Sequence, residues 1–205
     1  MNHLPMHEMK NIAFCALLVL AAGCSSLQGP APKAVFDFGP EPLAAAPAAG
    51  TRPPVALAEM DAGAALDGTS VLYRLAYADA RQLQPYTLAR WSMAPAQLVR
   101  QRLRDALGQA GPVLNAGEGN TPLVLRVELE EFSQLFSAPD KSAGLVRLRA
   151  TLTRNESLLA QRSFVIQRPA ASPDAPGGVH ALAAATDAAV AEVNVWLGQT
   201  LQAGR

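Results

Sequence analysis

A thiol at the end of an apolar run, a solitary histidine and two glutamates two positions apart are the groups in this 205-residue chain whose types and spacing bear on chemistry. Cys15 and Cys24 both fall in the first 24 residues, so the rest of the chain can build neither an internal disulfide nor a thiolate metal site. His180 is the only histidine beyond that region, which leaves no His pair, His/Cys cluster or triad to assemble around it. No Gly-rich phosphate loop, Gly-x-Ser-x-Gly elbow or His-Glu-x-x-His stands anywhere in the sequence. Glu128 and Glu130 share one face of an alternating segment, as an acid/base pair would. Arg126 shares that face and Arg147 or Arg149 can lie opposite, so cross-strand ion pairing is the expected outcome. The remaining cluster is Tyr73-Arg74 with Tyr86, Arg90 and Trp91, where an aromatic beside an arginine can stack or make a cation–π contact. It reads either as a folding cluster that fastens strand to helix or as a partner surface.

Cys24 has its own context. Asn11 to Gly23 carries no charge after Lys10, and an apolar run of about a dozen residues makes a signal-peptide core, too short for ~30 Å of hydrocarbon. Leu20-Ala21-Ala22-Gly23-Cys24 resembles the bacterial lipobox, in which the cysteine receives diacylglyceryl and the signal is cut before it. Residues 1–23 are thus expected to be a signal peptide, with translation beginning at Met9 because Met9-Lys10-Asn11 makes a compact positive start. Residues 24–34 are then the lipidated cysteine and its tether, and 35–205 a single domain. Two or three acyl chains on one residue hold a protein on a bilayer that one chain would only visit. Ser25 stands where an Asp would resemble an inner-membrane retention signal, which implies transfer to the outer membrane of a Gram-negative cell.

The elements that must position these residues follow from periodicity. Val35–Phe38 reads as a first strand, Pro40–Pro54 as loop and Val55–Ala58 as a weak strand. Val71, Tyr73, Leu75 and Tyr77 alternate onto one face of a half-buried strand. Pro95 opens a helix whose stripe of Leu98, Val99, Leu103, Ala106, Leu107 and Ala110 runs to Gly111-Pro112, with Arg100, Arg102, Arg104 and Asp105 off the stripe. Leu123–Leu129 alternates as a strand with one wet face, and the change of pattern at Glu130-Glu131-Phe132 marks a bulge. Val146–Thr153 and Leu158–Gln167, joined at Asn155-Glu156, extend it into a meander. After a loop from Pro169 to Gly178, a C-terminal helix of about 20 residues is expected, with Val179, Leu182, Val190, Val193 and Trp196 on its apolar stripe. Its other side carries Ala181, Ala184, Ala188 and Ala191, either a partner face or simply good helix formers on a free surface. The sum is an α+β domain, a mostly antiparallel sheet of about five or six strands packed by two helices.

Seventeen basic residues balance 17 acidic ones, so the chain has no net field to draw phosphates, and nucleic acid is not an expected partner. No cofactor or metal is implied.

The order Phe36-Asp37-Phe38-Gly39-Pro40, Leu66-Asp67-Gly68, Tyr73-Arg74, Arg90-Trp91 before a Pro-started helix, and Trp196-Leu197 in a late helix resembles the PqiC-like family of auxiliary lipoproteins in ABC-type, MCE-associated lipid transport. None of these motifs is catalytic, and the resemblance implies a non-enzymatic, periplasm-facing outer-membrane lipoprotein. It implies docking to an MCE-type protein of an inner-membrane transporter, with homo-oligomerisation left open. The alternative is an envelope assembly or structural lipoprotein, serving lipopolysaccharide or porin insertion with no transport role.

Overall fold

The longest strands set the architecture. In the computed structural model, which describes residues 31–40, 52–119 and 121–203, β7 (Leu123–Ala138), β8 (Lys141–Arg154) and β9 (Ser157–Pro169) form an antiparallel meander. The signal segment, Cys24 and Ser25 lie outside the described residues. The turn from β8 to β9 places Asn155 and Glu156 at φ 49° and 67°, the mirror-image turn geometry whose twist matches that of the strands it joins.

Register in β7 shifts between Leu129 and Glu131, as the broken alternation anticipates. One extra residue moves every later side chain to the opposite face. Before the bulge Leu123, Leu125, Val127 and Leu129 are buried, and after it Phe132, Gln134 and Phe136 take their place. On the wet face Arg149 lies 3.7 Å from Glu128 and pairs closely with Glu130, the cross-strand outcome expected of those carboxylates.

Six further strands join this meander. They are β1 (Ala34–Phe36), β2 (Val55–Leu57), β3 (Asp61–Ala62), β4 (Ser70–Leu75), β5 (Gln84–Trp91) and β6 (Val113–Asn115). β2, β3 and β4 all lie parallel to β7; β1 runs parallel to β5, and β5 antiparallel to β4. The sheet of the described residues is therefore mixed and nine-stranded, larger than the expected five or six antiparallel strands. Strands of two or three residues show no measurable period, and parallel pairing is made by chain segments far apart in sequence. Among the described residues β1 and β9 are outer strands, β9 pairing only with β8.

Among the described residues three α-helices, not two, accompany the sheet: α1 (Ala76–Asp79), α2 (Pro95–Gly108) and α3 (Ala175–Ala203). α1 takes Tyr77 out of the strand alternation and leaves it exposed. α3 has 29 residues and begins within the expected loop, where Asp174 caps it by accepting from the Gly177 N–H at 2.8 Å. Among the described residues no helix is long and apolar enough to cross a membrane.

α3 seats on β8 and β9 by close backbone approach. A β-carbon on Gly144 of β8 would stand 2.5 Å from the Ala181 carbonyl carbon and the Leu182 nitrogen, so a side chain there would hold the helix off. Trp196 meets Phe164 of β9 edge to face, with ring centroids 6.0 Å apart. The result is one contiguous apolar core from Val55 to Leu201.

Candidate functional site

The five residues Tyr73, Arg74, Tyr86, Arg90 and Trp91 divide between two separate clusters. In the first, the rings of Tyr73 on β4 and Tyr86 on β5 lie 4.6 Å apart, with Phe136 of β7 edge to face against Tyr73. Tyr73 Oη donates to Gln84 Oε1 at 2.9 Å, and Tyr86 Oη donates to Gln134 Oε1 at 2.8 Å. Gln134 is fully buried and passes the chain on, its Nε2 donating to Ser142 Oγ at 2.8 Å. Gly178 of α3 packs directly on this amide, so the helix start and the polar chain fix each other. Partial burial, followed by the nearby Tyr73 and Asp174, pushes the Tyr86 phenol up to about 12. Arg74 leaves the aromatic rings and pairs with Glu131 at 3.0 Å.

Trp91 anchors the second cluster. It is fully buried between Phe38, whose ring meets it edge to face at 5.6 Å, and Phe132 at 5.5 Å. Arg90 points to solvent, and the cation–π contact falls to Arg102, whose guanidinium sits 5.8 Å from the Phe38 ring centroid. Arg102 is 6% exposed, although helical spacing sets it off the apolar stripe. Its Nη2 donates to the Phe38 carbonyl at 2.9 Å and its Nε lies 3.2 Å from Asp187 of α3, so one side chain ties the opening segment, α2 and α3 together.

The neighbouring arginines clasp loops in the same way. Arg100 Nε donates to the Ala58 carbonyl at 3.0 Å and pairs with Glu59 at 2.9 Å. Arg104 donates to Asn115 on β6. Arg52 donates to the Leu107 carbonyl at the end of α2 and to Asn194 of α3. Only the run of three arginines at alternate positions hints at these roles in the sequence.

The alanine side of α3 does not stay whole. Ala181 is 4% exposed, packed on Gly144, so it leaves the partner face: the helix leans toward β8 at its first turns and takes that alanine into the contact. Ala184 and Ala191 are exposed and Ala188 half-buried. Ala191 also lines a cleft of about 310 Å³ between α2 and α3, with Arg102, Gln109, Asp187, Val190 and Asn194 around it. Gln109 and Asn194 carry no motif that would single them out beforehand.

Chemically these arrangements bind, stack and hold; His180 is exposed on α3. Among the described residues no group of three or more His, Cys, Asp or Glu is placed to hold a metal.

Solved structures share this fold. A Xanthomonas campestris protein of the DUF330 family superposes with a TM-score of 0.65 at 19% identity, over 86% of this chain and 92% of that one. A second crystal structure, of an uncharacterized protein, gives 0.64 at 15% identity, over 81% and 99%. A PelC chain from Paraburkholderia phytofirmans, solved as a dodecamer, stands further off at 0.42 and 15% identity, over 73% and 91%. No curated protein sequence matches the chain. The family model for the ABC-type transport auxiliary lipoprotein component matches residues 36–194, from Phe36 of β1 to Asn194 of α3. That family consists of membrane-anchored envelope lipoproteins and is not a known enzyme family. With more than half of its length under the match, the chain belongs to the ABC-type transport auxiliary lipoprotein component family, the PqiC-like lipoproteins.

Proposed function

We propose that the chain is an outer-membrane lipoprotein, acylated at Cys24 and facing the periplasm, that serves as the accessory or docking component of an ABC-type, MCE-associated intermembrane lipid transporter. The observation that carries this reading is the family match across 36–194, and the leader ending in Leu20-Ala21-Ala22-Gly23-Cys24 supports the anchor. Ser25 favours the outer membrane. The docking face lies on Ala184, Ala188 and Ala191 of α3 beside the cleft with α2, where small side chains let another protein's backbone approach closely. Tyr73, Tyr86 and Trp91 serve folding, since their rings and hydroxyls are engaged within the domain.

Affinity purification of the acylated protein from detergent-solubilised membranes tests this. Co-recovery of a permease, an ATPase and an MCE protein is expected, and Ala184→Arg, at an exposed position of that face, is expected to lower that recovery without changing the melting temperature. Recovery of outer-membrane assembly factors alone would replace the transport role with an assembly role.

A further inference from the structure

Outer strand β1 is also where the chain from Cys24 enters the domain, Lys33 standing immediately before Ala34. Beside it lies an apolar groove of about 340 Å³ lined by Ala34, Phe36, Leu88, Ala89, Ala175 and Pro176. Val35 and Leu88, on the paired strands β1 and β5, are 52% and 56% exposed. Aliphatic groups held in water on adjacent strands add nothing to the core, and this pair lies on the side where the tether attaches. The exposed cations Lys33, immediately before β1, and Arg90, on β5, stand beside them. The nearby carboxylates are exposed and engaged locally: Asp37 accepts from the Gly39 N–H at 2.8 Å, and Asp174 accepts from Ser172 and Gly177, bonds that hold it below the usual carboxylate range.

We propose that this groove, with Val35 and Leu88 at its side, rests on the phospholipid surface to which the chain is anchored. The inference depends on the lipid-anchor reading for its geometry. Nine residues, Ser25 to Lys33, separate Cys24 from Ala34 and span at most ~30 Å when fully extended, about the width of a small domain. A short tether keeps this edge of the domain at high effective concentration next to lipid, so each apolar group on it meets the acyl–headgroup boundary before it meets a distant protein. Lys33 and Arg90 then face the headgroup phosphates.

The test uses the mature chain from position 24 with Cys24→Ser, so that neither the apolar leader nor an acyl chain masks the patch, in flotation with vesicles of phosphatidylethanolamine and phosphatidylglycerol. Replacing Val35 and Leu88 together by serine should lower vesicle partitioning about tenfold, because two aliphatic side chains lose their transfer into the boundary. The same exchange at Leu158 and Leu159, exposed on distant β9, should leave it unchanged, and melting curves check that each variant is folded. Equal partitioning of the Val35/Leu88 variant and its parent, or equal loss in both variants, overturns the inference. Palmitate labelling of the unaltered protein is scored separately. A label on Cys24 with no patch effect removes the surface and keeps the anchor, and a patch effect with no label keeps the surface and removes the anchor.

Discussion

Gly144 of β8 and Ala181 of α3 meet backbone to backbone, with only 2.5 Å between the Ala181 carbonyl carbon and the place a β-carbon on Gly144 would occupy. Gly144→Ala therefore forces the helix off the sheet and should lower stability by about 1–3 kcal/mol, as overpacking of a tight core does. Thermal unfolding measures it. A melting temperature equal to that of the parent would show that α3 can shift freely over β8.

Trp91→Ala empties the space between Phe38 and Phe132 and should cost about 3–5 kcal/mol. Trp91→Phe should cost clearly less, since the indole N–H is buried with no hydrogen-bond partner among the described residues and its loss breaks no bond. Chemical denaturation of both variants, alongside the membrane pull-down, separates folding from binding. Unchanged unfolding with lost recovery of partners would move Trp91 to the docking face.

Arg102 and Asp187 are joined across α2 and α3 at 3.2 Å, one partner nearly buried and the other half exposed. A double-mutant cycle with Arg102→Met and Asp187→Asn should give a coupling of about 1 kcal/mol, with Arg102→Met alone costing more because it also loses the Phe38 carbonyl. Arg102→Lys should not restore the loss, for an ammonium cannot reach the carbonyl and the carboxylate in one plane. Full rescue by lysine would reduce the role of Arg102 to bare charge.

Tyr86 titrates at about 12, against 10.0 for its ordinary value. Its folded value is raised, so the stability it contributes is complete below pH 10 and is lost as the pH climbs from 10 through about 12, where the unfolded chain ionises first. Ultraviolet titration of the phenolates should show one late-ionising tyrosine that disappears in Tyr86→Phe, and the same variant should flatten the alkaline fall in stability. An unchanged late phase in Tyr86→Phe would assign it to another residue.

Sequence patterning exposed the elements that bury alternating or helical faces over many residues: α2 from Pro95, the β7–β9 meander, and the bulge after Leu129. It failed where a segment's side chains do not alternate. β5 carries Pro85 and exposed Thr87, Leu88 and Arg90, and its register with β4 slips between Ser70 and Leu72, so no period betrays it as a strand. Arg102 looked solvated because helical spacing treats each charge alike, whereas its burial depends on Phe38 and Asp187, which lie far along the chain. Ala181 was misplaced for a related reason, since the glycine that receives it sits on another element. The aromatic cluster was recognised by residue type but not by partition: Tyr73 with Tyr86, and Trp91 with Phe38, are pairings that only the mixed sheet brings about.

Among the described residues no strand pairs with the outer side of β9, which leaves a row of amide and carbonyl groups next to Leu158, Leu159 and Val165. Crowding on a membrane would bring such rows from neighbouring molecules together, inviting fibrous stacking. Arg162 and Arg168 place like charge along that ribbon and Pro169 closes it without a donor, so the strand carries its own safeguards against runaway self-assembly.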